Sequence, residues 1–206
     1  MKYGFMPKLM WVAYKGTFKK KLTKTLGEDS PNGVMKLAHR KYKEILFGID
    51  EFEKGDRFLI NILSCAMLSA VLLSVKNKYT VEEVRVYYRK AMCENFITKS
   101  AATKSKSYTE KGRAKLKEHA AKSQSGTNPY SWKFTVEDGK TINQYTATFY
   151  TCGICYLMNK LGLKEYISAM CTFDYDMAAM NNTVFTREYT LASGGKYCDC
   201  HYDHKG

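Results

Sequence analysis

SWKFTVEDGKTINQYTATFYTCGICYLMNKLG, residues 131–162, is the stretch whose reading decides the fold. Residues 132–136 alternate apolar and polar, as a half-buried strand does. Glu137-Asp138-Gly139-Lys140 supplies a hairpin turn. Residues 141–149 are rich in Thr and Tyr and return as a second strand. Residues 152–161 then read as a helix entered directly from that strand, and Gly162 ends it. An antiparallel pair that feeds a helix is thereby predicted.

The same punctuation continues toward the C-terminus. Residues 164–180 read as a further helix or helix pair. Residues 184–191 read as a strand, Ala192-Ser193-Gly194-Gly195 as a turn, and residues 196–202 as a closing strand.

Toward the N-terminus the period changes to that of helices. Residues 2–26 mix lysines with Tyr3, Phe5, Trp11, Tyr14 and Phe18, and predict a helix that lays its rings on the body. Residues 27–33 form a loop by their breaker density, and residues 34–47 a helix on which His39 is a surface histidine. An apolar helix is expected over residues 57–76. Thr80-Val81-Glu82-Glu83 opens the next one with the spacing of a capping box, and Val84, Tyr87, Tyr88, Ala91 and Met92 continue it. These two helices predict an antiparallel hairpin with Cys65 and Cys93 in its core. Residues 98–126 are rich in Lys, Ser and Ala, with an exposed helix over 108–123. Helices first and an antiparallel sheet with inserted helices after them argue for the α+β class. We expect one domain over residues 1–206: an N-terminal helical arm (1–56), a helical layer (57–126), and a sheet with inserted helices that carries the candidate site (127–206).

The formal net charge of +13 raises the prior for an anionic partner. Its lysines concentrate in residues 15–24 and 99–122, without a nucleic-acid motif and without interleaved aromatics. A solvated basic surface, with no nucleic acid bound, is the expectation. Residues 58–75 carry no charge and reach the lower limit of a membrane span, about 18 residues. Asn61, Ser64, Ser69 and Ser74 interrupt them, so a buried core helix is expected and no membrane partner. The 7 cysteines are an odd number, and residues 1–22 lack a continuous apolar segment. Reduced thiols in a cytoplasmic protein are therefore expected.

Cys152, Cys155, Cys171, Cys198 and Cys200 crowd into residues 150–201, beside Asp174, Asp176, Asp199, Arg187 and His201. Cys152-x-x-Cys155 reads as a redox pair or as half a zinc site that Cys198 and Cys200 would complete. On a strand, Cys198 and Cys200 share one face while Asp199 and His201 take the other. For each cysteine alone, an inert core position is the simpler explanation. Cys171 and Asp174 face the same way on a helix. The carboxylate raises the thiol pKa, unless a nearby cation, Arg187 or a cationic substrate, reverses that. Arg187 either fixes a substrate carboxylate or pairs at the surface with Glu188 or Asp199.

Taken in order, these residues resemble the L-2-amino-thiazoline-4-carboxylic acid hydrolase family of bacterial proteins. The resemblance rests on Cys152 after the strand, Leu161-Gly162-Leu163, Cys171-x-x-Asp174, Arg187, Thr190-Leu191-Ala192-x-Gly194 and Cys198-Asp199. Upstream, Asn61 in its apolar helix, the Thr80–Val84 segment and Ser131-Trp132 fall in similar order. The likeness runs from about Arg57 onward. The chain departs from the family pattern at Cys200 and His201, where an aromatic and a basic residue are commoner.

The resemblance implies hydrolytic opening of a small zwitterionic cyclic amidine, with no cofactor. It implies Cys171 or Cys152 as nucleophile, or else an activated water, with Asp174 as cation binder and proton acceptor. Arg187 would clamp the substrate carboxylate, and His201 is a candidate general base. Cys198 and Asp199 would line or support the site. A homo-oligomer is compatible with the sequence. The rival reading is a non-catalytic small-molecule or zinc-binding α+β module, its zinc held by Cys152, Cys155, Cys198 and Cys200.

Overall fold

Two long helices open the chain, α1 (Phe5–Leu26) and α2 (Pro31–Phe47). Gly27 ends α1 in the left-handed region at φ 68°, which glycine adopts without steric cost. Pro31 sits in the first turn of α2, where its missing N–H has no partner to lose, so α2 starts earlier than its apolar spacing indicated. Then follow α3 (Leu59–Leu72), α4 (Val81–Cys93), α5 (Phe96–Ala102) and α6 (Glu110–Ser123). The hairpin β1 (Phe134–Asp138) and β2 (Gln144–Phe149) leads into α7 (Gly153–Lys160), α8 (Ile167–Cys171) and α9 (Phe173–Met180). Strands β3 (Thr183–Thr186) and β4 (Cys198–His204) close the chain. The structure, a computed structural model, describes residues 1–102 and 105–205. Lys104 of the basic run lies outside the described residues.

The fold is α+β. All pairings in the four-stranded sheet are antiparallel and its order is β1-β2-β4-β3. The helices supply the main core. Phe18, Leu22, Leu63, Met67 and Tyr87 are fully buried there. No described helix is long and apolar enough to cross a membrane; residues 62–71 of α3 are buried inside the protein instead.

Four local expectations change. The hairpin of α3 and α4 is not the main pairing: α3 lies along α2 and α4 along α1. The N-terminal helices bring larger apolar faces, including Trp11, Phe18, Tyr42 and Leu46. The helix over 108–123 is not fully exposed. Arg113, Leu116 and Ala120 are buried where α6 covers β1. His39 is half-buried, its ring stacked on Trp11 at 4.5 Å and bonded to the Tyr3 hydroxyl at 2.8 Å.

The strand expected over 184–191 ends at Thr186. The backbone N–H groups of Glu188 and Tyr189 donate to the Asp199 carboxylate, Tyr189 at 2.6 Å, so they do not extend the ladder.

Candidate active site

Strand register brings the chemistry together. Phe149, Ala147 and Tyr145 of β2 lie opposite Cys198, Cys200 and Tyr202 of β4. Phe185 of β3 lies opposite Tyr202. Alternation puts these side chains on one face of the sheet, and α6 and α9 pack against that side. Arg187 follows Thr186, the partner of His201, and thereby comes down next to Cys200.

The Arg187 side chain is only 6% exposed. Its Nη1 donates to Asp174 Oδ2 at 3.1 Å and its Nη2 to the Cys171 carbonyl at 3.2 Å. Nε is buried with no hydrogen-bond partner. The guanidinium also lies near the rings of Phe185 and Tyr175, at 5.4 and 5.8 Å. Burial works against its charge, but Asp174 and the neighbouring thiols outweigh it and raise its pKa. The surface pairing with Glu188 or Asp199 is not formed.

Asp174 keeps 48% of its side chain exposed. The surrounding protein nevertheless raises its pKa by desolvation, against the pull of Arg187. A carboxylate that water reaches while protein crowds it sits in a recess. Only Oδ2 is engaged by Arg187.

The cysteines surround this ion pair. Burial, then Asp174 and Cys152, raise the Cys171 thiol, and Arg187 opposes them. Cys200 is pushed up to about 12 by burial and Asp174. Cys198 is raised by burial, though the Leu191 N–H donates to its sulfur at 3.2 Å. Cys152 precedes α7 in extended conformation. The Cys155 side chain and burial raise its pKa, while the amides of Cys155 and Ile154 oppose them. Gly153 lets the chain turn here: a Cβ would meet the Tyr130 carbonyl oxygen at 1.9 Å. Cys65, placed in the helical core by its sequence context, is fully buried there and also couples to Cys152 and Cys171.

Among the described residues no three His, Cys, Asp or Glu side chains are grouped to hold a metal ion. The Arg187 cation couples to Cys198 and Cys200, two of the four thiols of the zinc reading.

Asp199 and His201 are not brought into the cluster. Alternation turns both to the outer face. There His201 is 48% exposed, its Nδ1 bonded to Thr146 Oγ1 at 2.8 Å and its Nε2 3.5 Å from Asp199. Burial works against the Asp199 charge, but the amides of Tyr189, Asp199 and Glu188 offset it and hold the pKa low. Asp199 thus fixes the segment that follows Arg187. Asp176 also lies apart, bonded to Arg89 of α4 at 2.6 Å.

Sequence reasoning passed over Arg57, Tyr145 and Tyr202. The two tyrosines stack at 4.6 Å, and Arg57 couples to both. Arg57 also lines a cavity of about 380 Å³ together with Glu53, His119, Lys122 and Trp132. That cavity lies at the β1 side of the sheet, and none of the clustered cysteines lines it. The only signal in the sequence was a cation placed immediately before an uncharged helix.

A family described as L-2-amino-thiazoline-4-carboxylic acid hydrolase matches residues 60–202. No curated protein and no solved structure matches the chain. The matched span contains Asp174, Arg187 and all the clustered cysteines.

Proposed function

The chain belongs to the L-2-amino-thiazoline-4-carboxylic acid hydrolase family, and from that premise we propose that it opens a small carboxylated cyclic amidine by adding water to the ring carbon between nitrogen and sulfur. One observation carries the reading: a half-exposed Asp174, its pKa raised, gripped on one oxygen by a buried arginine. A carboxylate poised this way suits a general base better than an ordinary surface carboxylate does.

Protonation of the amidine makes its ring carbon electrophilic. Asp174 Oδ1 makes no hydrogen bond to the described protein and is the oxygen available to a water. As the water oxygen bonds to the ring carbon, its proton passes to Asp174. The tetrahedral adduct then breaks its ring C–S or C–N bond. The proton returns from Asp174 to the leaving atom, the adduct's hydroxyl proton passes to solvent in place of the one that charged the amidine, and a carbamoylated cysteine results. Arg187 keeps Asp174 aimed and acts as a positioning residue.

Water is favoured over a thiol as nucleophile because burial holds Cys171 in the thiol form, and the Cys155 side chain together with burial does so for Cys152. Only the thiolate attacks well. The thiols instead line the recess with small, polarisable groups.

The test is ring opening of 2-amino-thiazoline-4-carboxylate by the purified chain and by Asp174→Asn, Cys171→Ala and Cys152→Ala. Asp174→Asn should lower kcat by about 10²–10⁴-fold, the usual contribution of a general base. Each cysteine variant should retain most of the turnover. The base works only when ionised, so kcat should fall as pH drops through a pKa above the ordinary carboxylate value. Undiminished turnover by a folded Asp174→Asn protein overturns the base, and abolished turnover in Cys171→Ala or Cys152→Ala replaces water with a thiol.

A further inference from the structure

Arg85, Arg89, Arg113 and Arg187 each meet a carboxylate. Arg57 meets none, and among the described residues it makes no hydrogen bond. Its neighbour Asp56 is otherwise engaged: Oδ1 accepts from the Phe58 N–H at 2.8 Å and Oδ2 from the Ser131 hydroxyl at 2.9 Å. The Arg57 guanidinium lies 5.6 Å from the centre of the Phe58 ring and 6.0 Å from that of Phe134.

Arg57 is exposed by surface area. Even so, burial lowers its pKa, against the pull of Tyr145, Tyr202 and Asp56. Like Asp174, it reaches water from within a recess. This differs from Arg40, which stands on the exposed side of α2.

Register orders the side chains that lie between the ion pair and the rings Arg57 meets. Phe134, Phe149 and Cys198 form one row across the inner face, and Tyr145, Tyr202 and Phe185 form another. Between them runs a row of smaller side chains, Val136, Ala147 and Cys200, which ends at Arg187. Arg57 approaches both aromatic rows from the β1 side, and Arg187 closes the middle row from the β3 side. Two or three strand spacings separate them, on the order of 10–15 Å. A five-membered ring with a carboxylate spans that interval once the hydrogen bonds at its two ends are included.

Charge points the same way. Arg187 and Asp174 cancel, and the thiols and phenols are neutral, so Arg57 is the cation of this face that forms no ion pair among the described residues, with Asp56 acting on it from the adjoining position. A planar guanidinium with its donors unused matches a carboxylate in a bidentate grip.

We propose that Arg57 binds the substrate carboxylate and sets the preference for carboxylated over uncharged rings. This role rests on the ring-hydrolase reading, and it moves the clamp from Arg187, whose fork is engaged by Asp174 and the Cys171 carbonyl. Arg57 lies just outside the family span of 60–202.

The test compares 2-amino-thiazoline-4-carboxylate with 2-amino-thiazoline, which lacks the carboxylate, on the wild type, Arg57→Gln and Arg57→Lys. Arg57→Gln should raise KM for the carboxylated ring by roughly 10- to 100-fold, as loss of a charged hydrogen-bonded pair does. Its kcat, and both constants for the uncharged ring, should change little. Arg57→Lys should recover part of the loss. An unchanged KM for the carboxylated ring, or an equal loss on both rings, overturns the proposal.

If the wild type opens neither ring, the hydrolase reading fails by itself. Calorimetric titration with the carboxylated ring then decides Arg57 separately. Binding to the wild type that Arg57→Gln weakens upholds the carboxylate site. Equal binding to both proteins, or binding to neither, overturns it.

Discussion

The helical core and the inner face of the sheet are both buried, and they use burial in opposite ways. In the helical core most large side chains are apolar or place their polar tip on a nearby partner, and the exception is the buried Tyr42 hydroxyl, which has none. Tyr87 donates to the Phe18 carbonyl at 3.4 Å, Tyr88 to Ser64 at 3.3 Å, and Tyr166 to the Tyr79 carbonyl at 2.7 Å. On the sheet face, a guanidinium, a carboxylate and several thiols share one recess, and one guanidinium nitrogen is left without a partner. Burial in the first region adds stability with every apolar contact. In the second, burial of the ion pair and thiols shifts protonation equilibria, and the ion pair's own contribution to stability is small or negative. Cys65 sits on the border, part of the apolar core and coupled to the thiols of the recess.

Truncating the helical side is the strongest way to break this contrast. Phe18 is fully buried, with ring contacts to Tyr87 at 5.7 Å and Tyr88 at 6.3 Å. Phe18→Ala should cost about 3–5 kcal/mol of unfolding free energy, measured by urea denaturation. The molecules that remain folded should keep their KM. A KM shift as large as the stability loss would mean that the two regions are one unit.

A milder change tests how locally the helical side is specified. The Thr80 hydroxyl accepts from the Glu83 N–H at 3.2 Å, while the Thr80 N–H donates to Glu83 Oε2 at 2.7 Å, a complete capping box. Thr80→Ala should lower stability by about 1 kcal/mol in the same denaturation experiment, with no change in ring opening.

That box was legible because all its parts lie within one turn of helix. The same holds for the stop at Gly162, whose φ of 71° favours glycine, and for the existence of the hairpin of β1 and β2, although Glu137 and Asp138 pair within β1 and the turn falls at 139–143 instead of Glu137–Lys140. Features that depend on distant partners were not legible in this way. Arg113 stands among lysines and reads as a solvated charge, yet its guanidinium donates to the Ile142 carbonyl at 2.8 Å and lies 4.4 Å from the Tyr145 ring centre. Arg187 was legible as a cation that could stand beside Cys171 and Asp174, but Glu188 and Asp199 were nearer by sequence and by strand and competed as surface partners. The chain leaves β3 at Thr186, however, and the side chain turns inward to Asp174. The clustered cysteines were nameable from their density in residues 150–201, but only the register of β2 with β4 decided which of their neighbours share their face.

The outer face of the sheet offers the finest discrimination, because there the expected effect is close to nothing. His201 belonged to the candidate site by sequence proximity to Cys200, yet successive residues on a strand point to opposite sides. Its ring is bonded to Thr146 and half-exposed, and no described contact links it to Asp174 or Arg187. His201→Ala should therefore change kcat/KM by no more than about twofold, the scale of an ordinary surface substitution. Asp199 shares that face but fixes the backbone after Arg187, so His201 isolates the side chain's own contribution. A tenfold loss of ring opening in a folded His201→Ala protein would carry the reactive region through the sheet, and its inner face would no longer suffice to explain the chemistry.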